Sequence, residues 1–164
     1  MKLRPVAEVA AELKAFSNGC EDYVLSTSDV FFKPNGVGLT MHFDQHKEGL
    51  PIGRIANQQL ARYVGIPMNC GLYERLTKPR YAKLWAGIYN TVFRAEPKSR
   101  LIRTACHRFS TDKIDPSSRY VRAFLSSRYC IIDNLDILLA SAHKMSEVDA
   151  EVVYCRWTED RFDI

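Results

Sequence analysis

Leu101-Ile102-Arg103-Thr104-Ala105-Cys106-His107-Arg108-Phe109 and Arg119-Tyr120-Val121-Arg122-Ala123-Phe124-Leu125-Ser126 are the stretches whose reading decides the fold. Both are short and rich in β-branched and aromatic residues, and the polar run 110–118 lies between them, so they predict two strands joined by a loop. Side chains alternate across a strand with a period of two. Ile102, Thr104 and Cys106 therefore share one side of the first strand, with Leu101, Arg103, Ala105, His107 and Phe109 on the other. In the second strand Val121, Ala123 and Leu125 share one side, and Tyr120, Arg122, Phe124 and Ser126 the other. Paired as a hairpin, the two would have one core face and one face on which Arg103, His107 and Arg122 interleave with Phe109, Tyr120 and Phe124.

Outward from this pair the pattern is mixed. Pro5 suits the first turn of a helix over 5–16, where Val6, Val9, Ala10, Leu13 and Phe16 share a face. Residues 22–25 and 29–33 read as strands. Pro34-Asn35-Gly36, between Val30-Phe31-Phe32 and the run 37–43, predicts a β-hairpin with Asn-Gly in the turn. From Gly53 the period becomes helical: Ile55, Leu60, Ala61 and Val64 mark a helix that stops at Gly65, with Pro67 beyond it. Asn69 can cap a short helix through Leu76. Pro79 can open another, with Tyr81, Leu84, Trp85, Ile88, Tyr89 and Val92 as its apolar face. Asp133 or Asn134 can cap a helix from Leu135 to about His143, and 152–157 reads as a last strand. The sum is an α+β fold, an antiparallel sheet with helices packed on one face, in a single domain over 1–164. Arg161-Phe162-Asp163-Ile164 looks like the middle of structure, as if the chain were the front part of a longer ancestor or a short family member.

The totals are those of a globular chain: 164 residues, 46% hydrophobic and 26% charged, enough to bury an ordinary core and too apolar for disorder. No apolar run approaches the roughly 18 residues a membrane helix needs. Basic Lys2 and Arg4 lead into Glu8 and Glu12, without the apolar segment of a signal peptide. The cytoplasm of a bacterial host cell is the expected location. Five widely spread cysteines, with no C-x-x-C pair, suit reduced thiols better than a disulfide framework.

The net charge of +4 is unevenly distributed. Residues 75–128 hold 13 Lys and Arg against three acids, while the remainder holds 10 bases and 16 acids. Such polarity points to a polyanionic partner, or else to a basic segment neutralised by the acidic remainder on folding. Cations between aromatic plates suit a groove for single-stranded nucleic acid, because phosphates release counterions to the cations while bases stack on the rings. The expected contact residues are Arg103, His107, Arg108, Phe109, Arg119, Tyr120, Arg122, Phe124 and Arg128, with nucleic acid, single-stranded DNA in particular, as partner. If helices cover this face, its aromatics are simply core.

The other constellations carry less. His42 and His46 are four apart but sit at a strand end, without the helix that makes this spacing a zinc pair. Cys106 and His107 are adjacent and point to opposite sides of a strand. Asp133 and Asp136 fit a helix N-terminus better than a cation site. No cofactor, metal or catalytic set is expected. Two competing readings remain: a basic module that inhibits a host defence complex by binding protein, and an enzyme acting on nucleic acid through His107 or Asp133.

Three segments carry a resemblance. Leu101-Ile102-Arg103-Thr104, then Val121-Arg122-Ala123-Phe124-Leu125-Ser126-Ser127-Arg128-Tyr129, then Ile132-Asp133-Asn134, resemble the phage- and plasmid-type proteins of domain-of-unknown-function family 932. Leu60-Ala61-Arg62-Tyr63-Val64-Gly65-Ile66-Pro67, followed by Tyr73, is similar to an upstream segment of the same family. The resemblance implies a mobile-element setting, with replication or recombination as the process, and no particular reaction. The chain departs from the family pattern by ending early.

Overall fold

The computed structural model describes residues 4–68, 71–108, 114–129, 134–148, 154–158 and 161–163. The fold is α+β, and the chain divides into two compact units, Glu21–Tyr129 and the pair Met1–Cys20 with Cys130–Ile164.

In the smaller unit, β1 (Arg4–Pro5) pairs with β8 (Tyr154–Thr158), which pairs with β9 (Arg161–Asp163), all antiparallel. Helix α1 (Val6–Asn18) starts one residue after Pro5, which is its N-cap with φ −53° and ψ 137° and not part of its first turn, and packs on α5 (Asn134–Ser146). Val9, Leu13 and Leu138 are the buried contact, flanked by Val6, Ala10 and Leu135. The predicted helix-face spacing of Val6, Val9, Ala10 and Leu13 is thus the spacing used. The proposed capping residues Asn69 and Asp133 lie outside the described residues.

The larger unit carries two three-stranded antiparallel sheets. One runs β2 (Glu21–Ser26), β6 (Ser99–Arg108), β7 (Ile114–Ser126); the other β3 (Phe31–Pro34), β4 (Leu39–Phe43), β5 (His46–Pro51). They meet where Ile52 bridges Val121 in parallel and the Gly53 N–H donates to the Val121 carbonyl at 2.8 Å. Gly53 must lack a side chain here, because a Cβ would lie 2.9 Å from the Tyr120 ring. The β3–β4 turn is closed by Asn35, whose side-chain oxygen accepts from the Val37 and Gly38 N–H groups at 3.2 and 2.8 Å. Gly36 supplies the left-handed turn residue. Strand β5 was not predicted: Lys47, Glu48, Gly49 and Pro51 are poor strand formers, and only pairing with β4 holds them extended. Strand β7 also begins earlier than expected, at Ile114.

Two helices close this unit. Helix α2 (Arg54–Tyr63) packs along β7, and α4 (Ala82–Ala95) along β3, with the short α3 (Gly71–Leu76) between them in sequence. Helix α2 ends as predicted at Gly65, which adopts φ +78°. The Gly65 and Ile66 N–H groups bond back to the Arg62 and Ala61 carbonyls at 3.1 and 2.8 Å, the two bonds of a Schellman stop. On α4 the buried stripe is Ala82, Trp85, Ala86, Tyr89 and Phe93, so Leu84, expected inside, is 57% exposed. The stripe is set by Asn90, whose amide bonds both the N–H and the carbonyl of Phe32 at 2.8 and 3.0 Å. Gln59 does the same service for β7, accepting from the Phe124 N–H at 2.7 Å. Each helix thereby satisfies backbone groups on a sheet edge, which would otherwise be a template for aggregation.

Candidate nucleic-acid interface

The alternation that predicted the basic face fails at one residue. Across β6 and β7, Ile102 opposes Phe124 and Arg103 opposes Ala123, but Thr104 opposes Val121, leaving Arg122 as an extra residue in a β-bulge. A bulge shifts the side-chain phase by one, so Phe124 and Val121 point to the same side. Both join the buried core with Ile102. Phe124 is 4% exposed, its ring stacked on Phe93 with centroids 5.4 Å apart. Tyr120 is also 4% exposed. The expected stacking roles of Phe124 and Tyr120 are therefore corrected: a base cannot reach a ring already packed on protein.

The predicted cations also find partners within the unit. The Arg103 Nε lies 3.4 Å from an Asp22 carboxylate oxygen, with the Arg103 side chain 13% exposed. Arg119, 14% exposed, reaches Glu21 at 2.7 Å and donates to the Thr104 hydroxyl at 2.8 Å. Glu21 and Asp22 are the first residues of β2, which pairs with β6 so that Glu21 opposes Thr104 and Asp22 opposes Arg103. For these two arginines, neutralisation by acids from outside the basic stretch is what the fold builds. Arg122 is half-buried at the bulge and Arg128 is exposed. The side chains of His107 and Arg108, and the whole of Phe109, lie outside the described residues, as does Asp133.

Glu21 heads a longer network. Tyr23 donates its hydroxyl proton to Glu21 and lies 3.1 Å from the Nε2 of His46. With its proton given to Glu21, Tyr23 accepts from His46, which fixes the Nε2–H form of that imidazole. Burial, then the hydrogen bond to Glu21, pushes the Tyr23 hydroxyl up to about 12. Burial, then the Arg119 charge, lowers the His46 pKa. His42, the other half of the spacing noted in the sequence, is buried and saturated: Nδ1 donates to the Lys47 carbonyl at 2.9 Å and Nε2 meets the Thr40 hydroxyl at 2.9 Å. No cluster of three or more His, Cys, Asp or Glu able to hold a metal occurs among the described residues.

A basic and aromatic surface does form, at the end of the β6–β7 pair. Arg100 opposes both Leu25 and Ser126 and alternates with buried Ile102, so it stands at the mouth of the core. Its guanidinium lies 4.6 Å from the Tyr63 ring centroid and 5.9 Å from that of Phe124. The Lys98 ammonium lies 5.9 Å from the same Tyr63 ring and pairs with Glu96 at 2.8 Å. Just past Ser126 the chain turns, and Arg128, whose N–H reaches the Ser126 hydroxyl at 3.3 Å, adds a third cation. No carboxylate pairs with Arg100 or Arg128 among the described residues. Tyr63, Lys98 and Arg100 were missed because Tyr63 and Arg100 are 37 positions apart. The available signal was Arg100, on the core side of its strand by alternation and yet charged.

No family model matches the chain, and neither the curated proteins nor the solved structures give a match. No helix among the described residues is long and apolar enough to cross a membrane.

Proposed function

We propose that this chain is a non-enzymatic protein that binds single-stranded nucleic acid through the Lys98, Arg100 and Arg128 end of the β6–β7 pair. Its setting is a phage or plasmid, in replication or recombination, as in the family its motifs resemble. One observation carries the reading: Arg100 sits over the half-buried Tyr63 ring with no carboxylate paired to it among the described residues. The Arg100 Nε is buried without a hydrogen-bond partner among the described residues, so phosphate contact falls to its two terminal nitrogens, whose planar N–H groups suit paired phosphate oxygens. The Tyr63 ring restrains the side chain before a ligand arrives, so less rotamer entropy is lost on binding. Arg103 and Arg119 support the sheet from within, tied to β2, and orient nothing toward a ligand.

Fluorescence anisotropy with a labelled 20-nucleotide single strand tests the proposal. Saturable binding is expected, weaker for a duplex of the same sequence and weakened by Arg100→Ala. Absence of binding to every strand at low salt, in protein that melts cooperatively, overturns it.

A further inference from the structure

A cleft of about 190 Å³ opens beside the N-terminal part of α2, away from the Tyr63 end of that helix. Leu39, Ile52, Leu76 and Ala82 give it apolar walls, and half-buried Asn57, buried Trp85 and exposed Lys78 complete the lining. The orientation of the Asn57 amide is fixed. The Trp85 indole can only donate, and its Nε1 lies 3.4 Å from the Asn57 Oδ1, to which Tyr89 also donates at 3.1 Å. The Asn57 Nδ2 gives one hydrogen to Tyr73 at 3.5 Å, and its second has no partner among the described residues. Thr77 spends its hydroxyl proton on the Glu74 carbonyl at 3.1 Å. The donors left to a ligand are thus the amide of half-buried Asn57 and the exposed Lys78 ammonium, with the Thr77 hydroxyl oxygen able only to accept.

Size narrows the ligand further. A dry cavity of about 150 Å³ accepts one benzene ring, so this cleft of about 190 Å³ fits a single six-membered base with exocyclic oxygens better than a fused purine base, with sugar and phosphate outside it in either case. The ring must offer an acceptor to Asn57 and carry an anion near Lys78. We infer that the cleft is a pyrimidine-nucleotide site, in which a ring carbonyl oxygen accepts from the Asn57 Nδ2 and the phosphate meets Lys78. The nucleotide is either free or an unstacked residue of a bound strand; only the second source rests on the function proposed above. Asn57 and Tyr63 are six residues apart on α2, about 9 Å along its axis, so one strand can reach both places.

Titration of the full ¹⁵N-labelled chain, following the Trp85 indole N–H (assigned with Trp157→Phe), tests the site with uridine monophosphate, adenosine monophosphate, uridine and inorganic phosphate. Uridine monophosphate should shift the Trp85 signal saturably and bind at least about fivefold tighter than the purine nucleotide; phosphate alone should leave it in place. Lys78→Ala should weaken the nucleotide by about three- to tenfold, at most the roughly 1.4 kcal/mol of a tenfold change, and leave uridine unaffected. Ala82→Leu, checked by its melting curve, should abolish both. No Trp85 shift, equal binding of purine and pyrimidine, or a Lys78→Ala variant that binds like the parent overturns the inference. Oligonucleotide binding without a mononucleotide shift sinks the cleft alone. A mononucleotide shift without oligonucleotide binding sinks the strand reading and leaves a free-nucleotide site.

Discussion

Replacing Lys98, Arg100 and Arg128 together by Ala removes three exposed or half-exposed cations from one end of the β6–β7 pair. Each phosphate neutralised on a single strand contributes about 0.7 to the slope of log affinity against log salt concentration. Three such contacts amount to a slope change of about 2, with the Glu96 pairing of Lys98 making that figure a ceiling. Between 50 and 200 mM salt the log concentration rises by about 0.6, so the parent should lose about 20-fold more affinity than the triple variant over this range. The control is Arg103→Ala with Arg119→Ala. These side chains already face Asp22 and Glu21, so their removal should change the slope by less than about 0.5 and lower stability instead. Anisotropy with a labelled oligonucleotide at five salt concentrations reads both slopes, and urea melts report the stabilities. The reasoning is refuted if the triple variant keeps the parental slope, or if the Arg103/Arg119 variant loses as much slope as the triple.

Three further outcomes test the fold. Asn57→Ala strands the indole N–H of buried Trp85, while the Tyr89 hydroxyl keeps the Asn57 main-chain carbonyl at 3.4 Å; with one group left unsatisfied, urea denaturation should show a loss of about 1–3 kcal/mol. Gly49→Ala should be strongly destabilising, because Gly49 adopts φ +86° and a Cβ there would overlap the His42 ring, whereas Gly38→Ala meets open space and should melt like the parent. For pH, burial and Arg119 lower the His46 pKa, so the unfolded chain takes up the proton more readily than the folded one. The contribution of His46 is then complete above the ordinary histidine value of about 6.5 and is lost as pH falls below it. Melts from pH 7.5 to 5 should show this slope flattened in His46→Gln.

Much of the fold is legible in the residues. Asn35-Gly36 specifies its turn because the Asn35 side chain accepts from the Val37 and Gly38 N–H groups and Gly36 takes a positive φ, Gly65 ends α2 through its own positive φ, and Val6, Val9, Ala10 and Leu13 recur at helical spacing. All three are local rules, in which the residue and the geometry it needs are within a few positions of one another. The basic face was legible only in part. Its strands and its cations are written in the sequence, but strict alternation placed Phe124 beside Arg122 when the bulge places it beside Val121.

A bulge depends on how a strand fits its neighbours, here β6 on one side and the Ile52 bridge and Gln59 on the other, and no residue type announces it. The pairing of Arg103 and Arg119 with the acids of β2 likewise spans more than 80 and 90 positions. Charge polarity along the chain was thus set by sequence alone, whereas tertiary structure decided which cations are already balanced. Coulombic partners are chosen by distance in space, and that distance exists only once β2 has paired with β6.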